Sequence, residues 1–299
     1  MKICKSWQNF KAFSGLRKST IWIVSLSIFS GCLSADHSSI SILVSGNTNG
    51  VIEPCDCEVG PLGGLAKRAT LIRKLDASNK MLRLDCGGIV DELTDPGRYA
   101  KILEAYRTIG YHAIIPGESD NELWRMAIAS GDSSWKTGVG PYHYVCQGWR
   151  IDVYALSQLW LDSIYQWLSK ETGNLSTPTD SLGRNSPAKE RSDHQFDRAI
   201  IIWLTYLDEE ELAQVLTLAL KLGKPDLILA GNSDLAVPAP DTLLGVPLFR
   251  CGVDGMDLLQ VSITIIDSTV AITPHWHEVG VKIGEAKDIR AILKHLQAR

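Results

Sequence analysis

The first strong signal along the chain is alternation. Ile40, Ile42 and Val44 alternate with Ser39 and Ser41, which predicts a strand over Ser39–Ser45. A glycine-bounded loop runs from Gly46 to Gly64, and the period then becomes helical. Leu65, Ala69, Ile72 and Leu75 share one face of a helix over Leu65–Leu75. Lys67, Arg68, Arg73 and Lys74 read as its solvated face. Met81–Asp85 is a short strand. Arg98–Ile109 is a helix with Ile102, Leu103, Tyr106 and Ile109 in one stripe, stopped by Gly110. His112–Ile115 reads as strand and Asn121–Ser130 as helix.

The second half repeats the alternation. Tyr142–Cys146 and Arg150–Ala155 flank Gly148 as paired strands, and Ser157–Thr172 is an aromatic-rich helix. Trp160, Tyr165 and Trp167 on it suit either core packing or a partner surface. Residues 173–197 are poor in apolar side chains and read as a mobile loop. Ala199–Leu204 and Asp226–Ala230 are strands around a helix, Glu209–Leu222, whose acidic first turn favours its dipole. Val246–Cys251, Leu258–Ile266 and Val270–His275 are β, and Ala286–Gln297 closes the chain as a helix. Strands and helices taken in turn predict an α/β architecture with largely parallel central strands.

The apolar fraction is 45% and the charged fraction 21%, which suits one large core or two small ones. A net charge of −4 provides no basic field, so nucleic acid is not an expected partner. The sequence contains no run of 18 apolar residues, which excludes a multi-span membrane protein.

The N-terminus reads as an address. The first acid is Asp36, and Lys2, Lys5, Lys11, Arg17 and Lys18 precede a short apolar run, Ile21 to Phe29. Ile28-Phe29-Ser30-Gly31-Cys32 resembles a bacterial lipobox. Residues 1–31 are then a signal peptide, Cys32 is the lipidated first residue, 32–38 are a short linker and 39–299 the folded domain. A plain signal peptide and an uncleaved anchor are the alternatives. Acyl chains hold a protein on a membrane because each buried methylene contributes about 0.8 kcal/mol. The expected location is a bacterial membrane-anchored lipoprotein facing the periplasm or the cell exterior.

In open α/β sheets, ligands bind beyond the carboxyl ends of the strands. The loops there are polar and glycine-rich: Gly46–Gly50, Asp85–Gly88, Gly117–Asp120 and Gly231–Asp234. Their order resembles the calcineurin-like metallophosphoesterases, specifically the catalytic domain of periplasmic 5′-nucleotidases. The stretches that carry the resemblance are VSGNTNGVIEPCDCEVGPLGGLAKRATLIRKL, DCGGIVDE, GYHAIIPGESDNEL, PDLILAGNSD and VPLFRCGVDGMDLLQVSI, within residues 40–275. The resemblance implies a four-layer α/β/β/α sandwich of the metallo-dependent phosphatase type.

It also implies two divalent cations that clamp a phosphate and generate a hydroxide. The expected ligands are absent. The family's Asp-x-His is Asn47-Thr48-Asn49, and its bridging Gly-Asp falls at Gly87-Gly88. Its Gly-Asn-His-Glu falls at Gly117-Glu118-Ser119-Asp120 and its Ser-His near Thr205-Tyr206. Its Gly-His-x-His is Gly231-Asn232-Ser233-Asp234. The candidate ligand-binding residues are therefore Asn47, Asn49, Gly88, Glu118, Asp120, Asn232 and Asp234, with no catalytic residue among them. No cofactor is expected. As the alternative, Glu118, Asp120 and Asp234 would hold one hard cation, Mg²⁺, Mn²⁺ or Ca²⁺. The family's nucleotidases carry a second, base-binding domain, for which these 299 residues leave no room.

Three cysteines belong to the same loops. Cys55 and Cys57 follow the first strand and Cys86 ends the second, so the resemblance implies that they converge. The expectation is a disulfide from Cys55 or Cys57 to Cys86; a soft-metal or redox site is the alternative. His275-Trp276-His277 puts two imidazoles on one face of a terminal strand, as surface residues or as a metal pair. Three functional expectations follow. The first is an exported binding or interaction module, with an unidentified protein or small-molecule ligand, that has lost the two-metal site. The second is a phosphoric ester hydrolase with a reduced carboxylate site. The third is a cysteine-based metal or redox module.

Overall fold

Two mixed sheets face each other across a core made by alternate residues of their strands. The structure, a computed structural model, describes residues 38–57, 60–173, 199–220, 223–232, 238–266 and 269–294. The signal peptide, Cys32, the 173–197 loop apart from residue 173, and Asp234 lie outside those residues. Among the described residues, no helix is long and apolar enough to cross a membrane.

The first sheet is built from β1 (Ser38–Ser45), β4 (Leu82–Asp85), β5 (Ala113–Ile114), β12 (Asp257–Ile266) and β13 (Thr269–Glu278), in the order β13-β12-β1-β4-β5. β1, β4 and β5 are parallel, with Ile42 opposite Leu82 and Leu84 opposite Ala113. β12 and β13 close that sheet antiparallel, with Ile40 opposite Ile263 and Gln260 opposite His275.

The second sheet contains β6 (Tyr142–Cys146), β7 (Trp149–Leu156), β8 (Ile200–Thr205), β9 (Leu227–Ala230), β10 (Asp241–Leu243) and β11 (Val246–Arg250). Its order is β10-β11-β9-β8-β7-β6, parallel through the middle and antiparallel at both edges. The Gly46–Gly64 loop is not wholly irregular: β2 (Cys55–Cys57) and β3 (Gly60–Leu62) pair as a small hairpin within it.

Strand alternation decides which side chains meet between the sheets. Ile40, Ile42, Val44, Leu82 and Leu84 point inward against Ile151, Val153, Ile202, Leu204, Leu227 and Leu229. The outer face of the first sheet is covered by α1 (Leu65–Leu75), α2 (Tyr99–Ile109), α3 (Asn121–Ala129) and α6 (Lys287–Leu293). α4 (Leu161–Gly173) and α5 (Glu209–Ala219) cover the second. The result is the expected α/β/β/α sandwich, and residues 37–299 form one compact unit. Gly110 ends α2 at φ 78°, a left-handed conformation that glycine adopts without a Cβ penalty. Trp160 packs edge-on to Trp124 in the core, and Tyr165 and Trp167 pack against the core beneath α4.

The solvated face assigned to α1 is only half correct. Arg73 is exposed and pairs with Asp288 at 2.6 Å, but Lys67 and Arg68 are buried. Lys67 donates to the carbonyls of Pro61 and Gly280. Arg68 is covered completely, for a reason that lies in β4 and α2.

Candidate functional site

The carboxyl ends of the parallel strands gather the polar loops at one edge of the sandwich. Asn47 and Asn49 take left-handed backbone conformations, φ 52° and 48°, which short polar side chains tolerate. Their N–H groups donate to Gly87 O and Gly88 O at 2.7 and 2.8 Å, joining the first and second loops. Asn49 also donates to Asp254 at 3.4 Å. Asn47, Asn49 and Gly88 therefore lie side by side.

Tyr206 is the residue around which this edge closes. It follows β8, and its ring lies against three glycines. A Cβ built at Gly88 would be 2.5 Å from that ring, one at Gly231 2.8 Å and one at Gly117 3.0 Å. Each glycine comes from a different strand-end loop. Their lack of side chains is the space that the tyrosine fills. Thr205, beside it, is buried and accepts from Leu207 N at 3.1 Å.

Glu118 and Asn232 line the open hollow beside Tyr206, together with Gln158, Asp208 and Glu211. The acids of this rim have local duties. Asp208 caps α5 by accepting from Glu211 N at 2.8 Å, and Gln158 donates to Glu211 at 2.6 Å. Asp120 does not face the hollow, contrary to its place in the expected ligand set. It is fully buried, and its carboxylate accepts from the N–H groups of Ile89, Val90 and Gly117 at 2.7–3.2 Å. Burial pushes its pKa up to about 6, against those three donors. Among the described residues, no group of three or more His, Cys, Asp or Glu is placed to hold a metal ion.

On the other side of β1 and β4, facing α1 and α2, lies a polar cluster that sequence reasoning missed. Asp85 is fully buried, accepts from Ser45 Oγ at 2.6 Å and lies 3.8 Å from Arg68. Arg68 donates to Thr48 at 2.9 Å and to Tyr106 at 3.3 Å, and Ser45 is hydrogen-bonded to Tyr111 at 2.7 Å. Burial pulls the guanidinium pKa down; Tyr106, Tyr111 and Asp85 more than reverse this, so Arg68 is held charged. The only signal in sequence was an arginine in the first turn of a helix, one turn away from the apolar residues Leu65, Leu71 and Ile72.

The expected Cys55/Cys57–Cys86 disulfide is not made. Cys55 is disulfide-bonded, while Cys86, Cys146 and Cys251 are free and buried. Cys86 points between the sheets because it continues the inward register of Leu82 and Leu84, and Cys251 is its neighbour there. His275 and His277 do share a face of β13, with ring centroids 4.3 Å apart, and His277 is bonded to Gln260 at 2.9 Å.

No protein-family model matches the chain, and no curated protein does. Solved structures do match. A 5′-nucleotidase precursor from Thermus thermophilus superposes with TM-score 0.58 at 13% identity, over 87% of this chain and 59% of that one. A calcineurin-like phosphoesterase from Bacillus subtilis gives 0.56 at 13%, over 87% and 96%. The NAD nucleotidase of Haemophilus influenzae gives 0.51 at 13%, over 88% and 56%. The chain thus spans less than two thirds of the two nucleotidases. Its fold is that of the calcineurin-like phosphoesterases and 5′-nucleotidases.

Proposed function

We propose that this chain is an exported, lipid-anchored protein that uses a calcineurin-like fold as a binding or interaction module, without the two-metal chemistry associated with that fold. The observation that carries the reading is Tyr206 packed against Gly88, Gly117 and Gly231. Gly88 stands by motif where the family carries its bridging Asp, Gly117 and Gly231 are motif glycines that immediately precede ligand positions, and the Tyr206 ring packs among all three. Two cations need anionic bridging and firm nitrogen donors, whereas the aligned residues offer no histidine, a glycine at the bridging position, amides, an already engaged Asp120 and two further carboxylates, Glu118 and Asp234. The residues described do not fit the metal pair.

The test is turnover of a panel of phosphomonoesters, phosphodiesters and nucleotides with Mg²⁺, Mn²⁺ or Ca²⁺ added to the pure protein. The expected rate is background. Metal-dependent turnover abolished by Asp234→Ala would overturn the proposal and favour the alternative, a reduced carboxylate site that includes Glu118 and Asp234. Export is tested separately. The chain should partition with membranes and label with fatty acid, and Cys32→Ser should abolish both.

A further inference from the structure

Two thiols from opposite sheets meet below the strand ends. Cys86 follows β4 in the first sheet and Cys251 follows β11 in the second, and both are buried in the core between the sheets. β11 pairs with β9 so that Arg250 lies opposite Ala230, which sets Cys251 beside Gly231, the residue packed against the Cys86 Cβ. The backbone around them is closely fitted. A Cβ at Gly46 would come within 3.0 Å of the Cys86 Cβ and one at Gly231 within 2.9 Å, while Cys251 N donates to Ala230 O at 2.9 Å. The third free thiol among the described residues, Cys146, is engaged elsewhere and donates to Lys80 O at 3.3 Å. Neither the fold nor the function proposed above uses the Cys86–Cys251 pair, and this inference stands independently of that reading.

We propose that Cys86 and Cys251 are a redox pair that closes to a disulfide bridging the two sheets. The oxidant is a disulfide, small or protein-borne. One cysteine thiolate attacks a sulfur of that disulfide and expels a thiolate, which takes the proton the cysteine lost. The second cysteine, deprotonated in turn, attacks the mixed disulfide at the protein sulfur and expels the other thiol. The Cys86–Cys251 bond forms, the oxidant's S–S bond is reduced to two thiols, and both electrons end there. Burial pushes the Cys86 thiol well above its ordinary pKa, so the reaction belongs to the folding or partly opened chain. The bridge would enclose roughly 165 residues, a long loop whose closure constrains the unfolded state strongly.

The experiment uses the full-length reduced protein, both native and refolding from urea, in glutathione buffers from reducing to oxidising. Acid quenching, alkylation and non-reducing peptide mass mapping follow. The expected product joins the Cys86 and Cys251 peptides, with Cys146 recovered alkylated, and dithiothreitol reverses it. Oxidised protein should melt roughly 5–15 °C above the reduced form. Cys251→Ala should abolish both the cross-link and the difference in melting. Recovery of Cys86 and Cys251 alkylated from the refolded, fully oxidised sample would overturn the proposal. So would each of them carrying glutathione. Stoichiometric zinc or copper, bound by the wild type and lost in Cys251→Ala, would overturn it in favour of a soft-metal site.

Discussion

The two sides of β1 and β4 at their carboxyl ends treat polar chemistry in opposite ways. On the outer side, Asp85, Arg68, Ser45, Thr48, Tyr106 and Tyr111 form a buried network of complementary groups. On the inner side, glycines face the Tyr206 ring, and two thiols lie beneath. A buried charge persists only where partners satisfy it. Asp85 has such partners built into the fold. A carboxylate at Gly88 would require a cation as partner, and the position instead bears no side chain. The outer cluster is therefore structural, while the inner face, on the function proposed above, is given over to packing.

The largest expected effect breaks the outer side. Arg68→Met leaves Asp85 buried without its cation and should cost about 3–5 kcal/mol in urea unfolding. The double change Arg68→Met with Asp85→Leu should recover most of that loss. A single-variant cost below about 1 kcal/mol would mean that the cluster is not the structural half of the comparison.

The next effect probes the inner side. Gly88→Ala combines a left-handed backbone, φ 66°, with a Cβ 2.5 Å from Tyr206. It should cost about 2–4 kcal/mol, with the steric share lost in a Tyr206→Ala background. An equal cost in both backgrounds would show that the ring does not fill this space.

Asp208→Ala should cost about 1 kcal/mol by thermal melting, through loss of the α5 cap alone. Its effect on calorimetric Mg²⁺ or Ca²⁺ binding should be nil if the rim acids are structural.

The smallest effect concerns a carboxyl group with neither kind of partner. Asp257 lies opposite Glu278, and burial, then that like charge, push its pKa up to about 6. Its folded value is above its unfolded one. Its contribution to stability is therefore full below the ordinary carboxylate range and is lost as pH rises through about 6. Asp257→Asn should flatten that part of the melting profile between pH 4 and 7. An unchanged slope would assign it to other groups, Asp120 first.

Much of this architecture could be read from periodicity. The strand over Ser39–Ser45, the helix over Leu65–Leu75 and the hairpin around Gly148 rest on local patterns that the sheets and helices retain. The short strands β2, β3 and β10 were not legible, because three-residue strands have no period to detect. Arg68 was misplaced because periodicity ranks a cation as solvated and cannot see Asp85 across the fold. Cys86 was assigned the wrong neighbour because the resemblance brings its loop to that of Cys55 and Cys57, whereas the inward register of β4 turns its side chain into the core between the sheets.

What the sequence by itself determined is the inventory and its order: which elements form, and which strand-end loops carry glycine or amide where the resembling family carries ligands. Those are local facts, set by side-chain period, turn chemistry and residue type. Only the tertiary structure decided what fills the space those residues leave. The ring of Tyr206, the Arg68–Asp85 pair and the Cys86–Cys251 contact join residues far apart along the chain. Such contacts depend on how two twisted sheets stack and which way each strand's alternate residues point, and no local pattern encodes that.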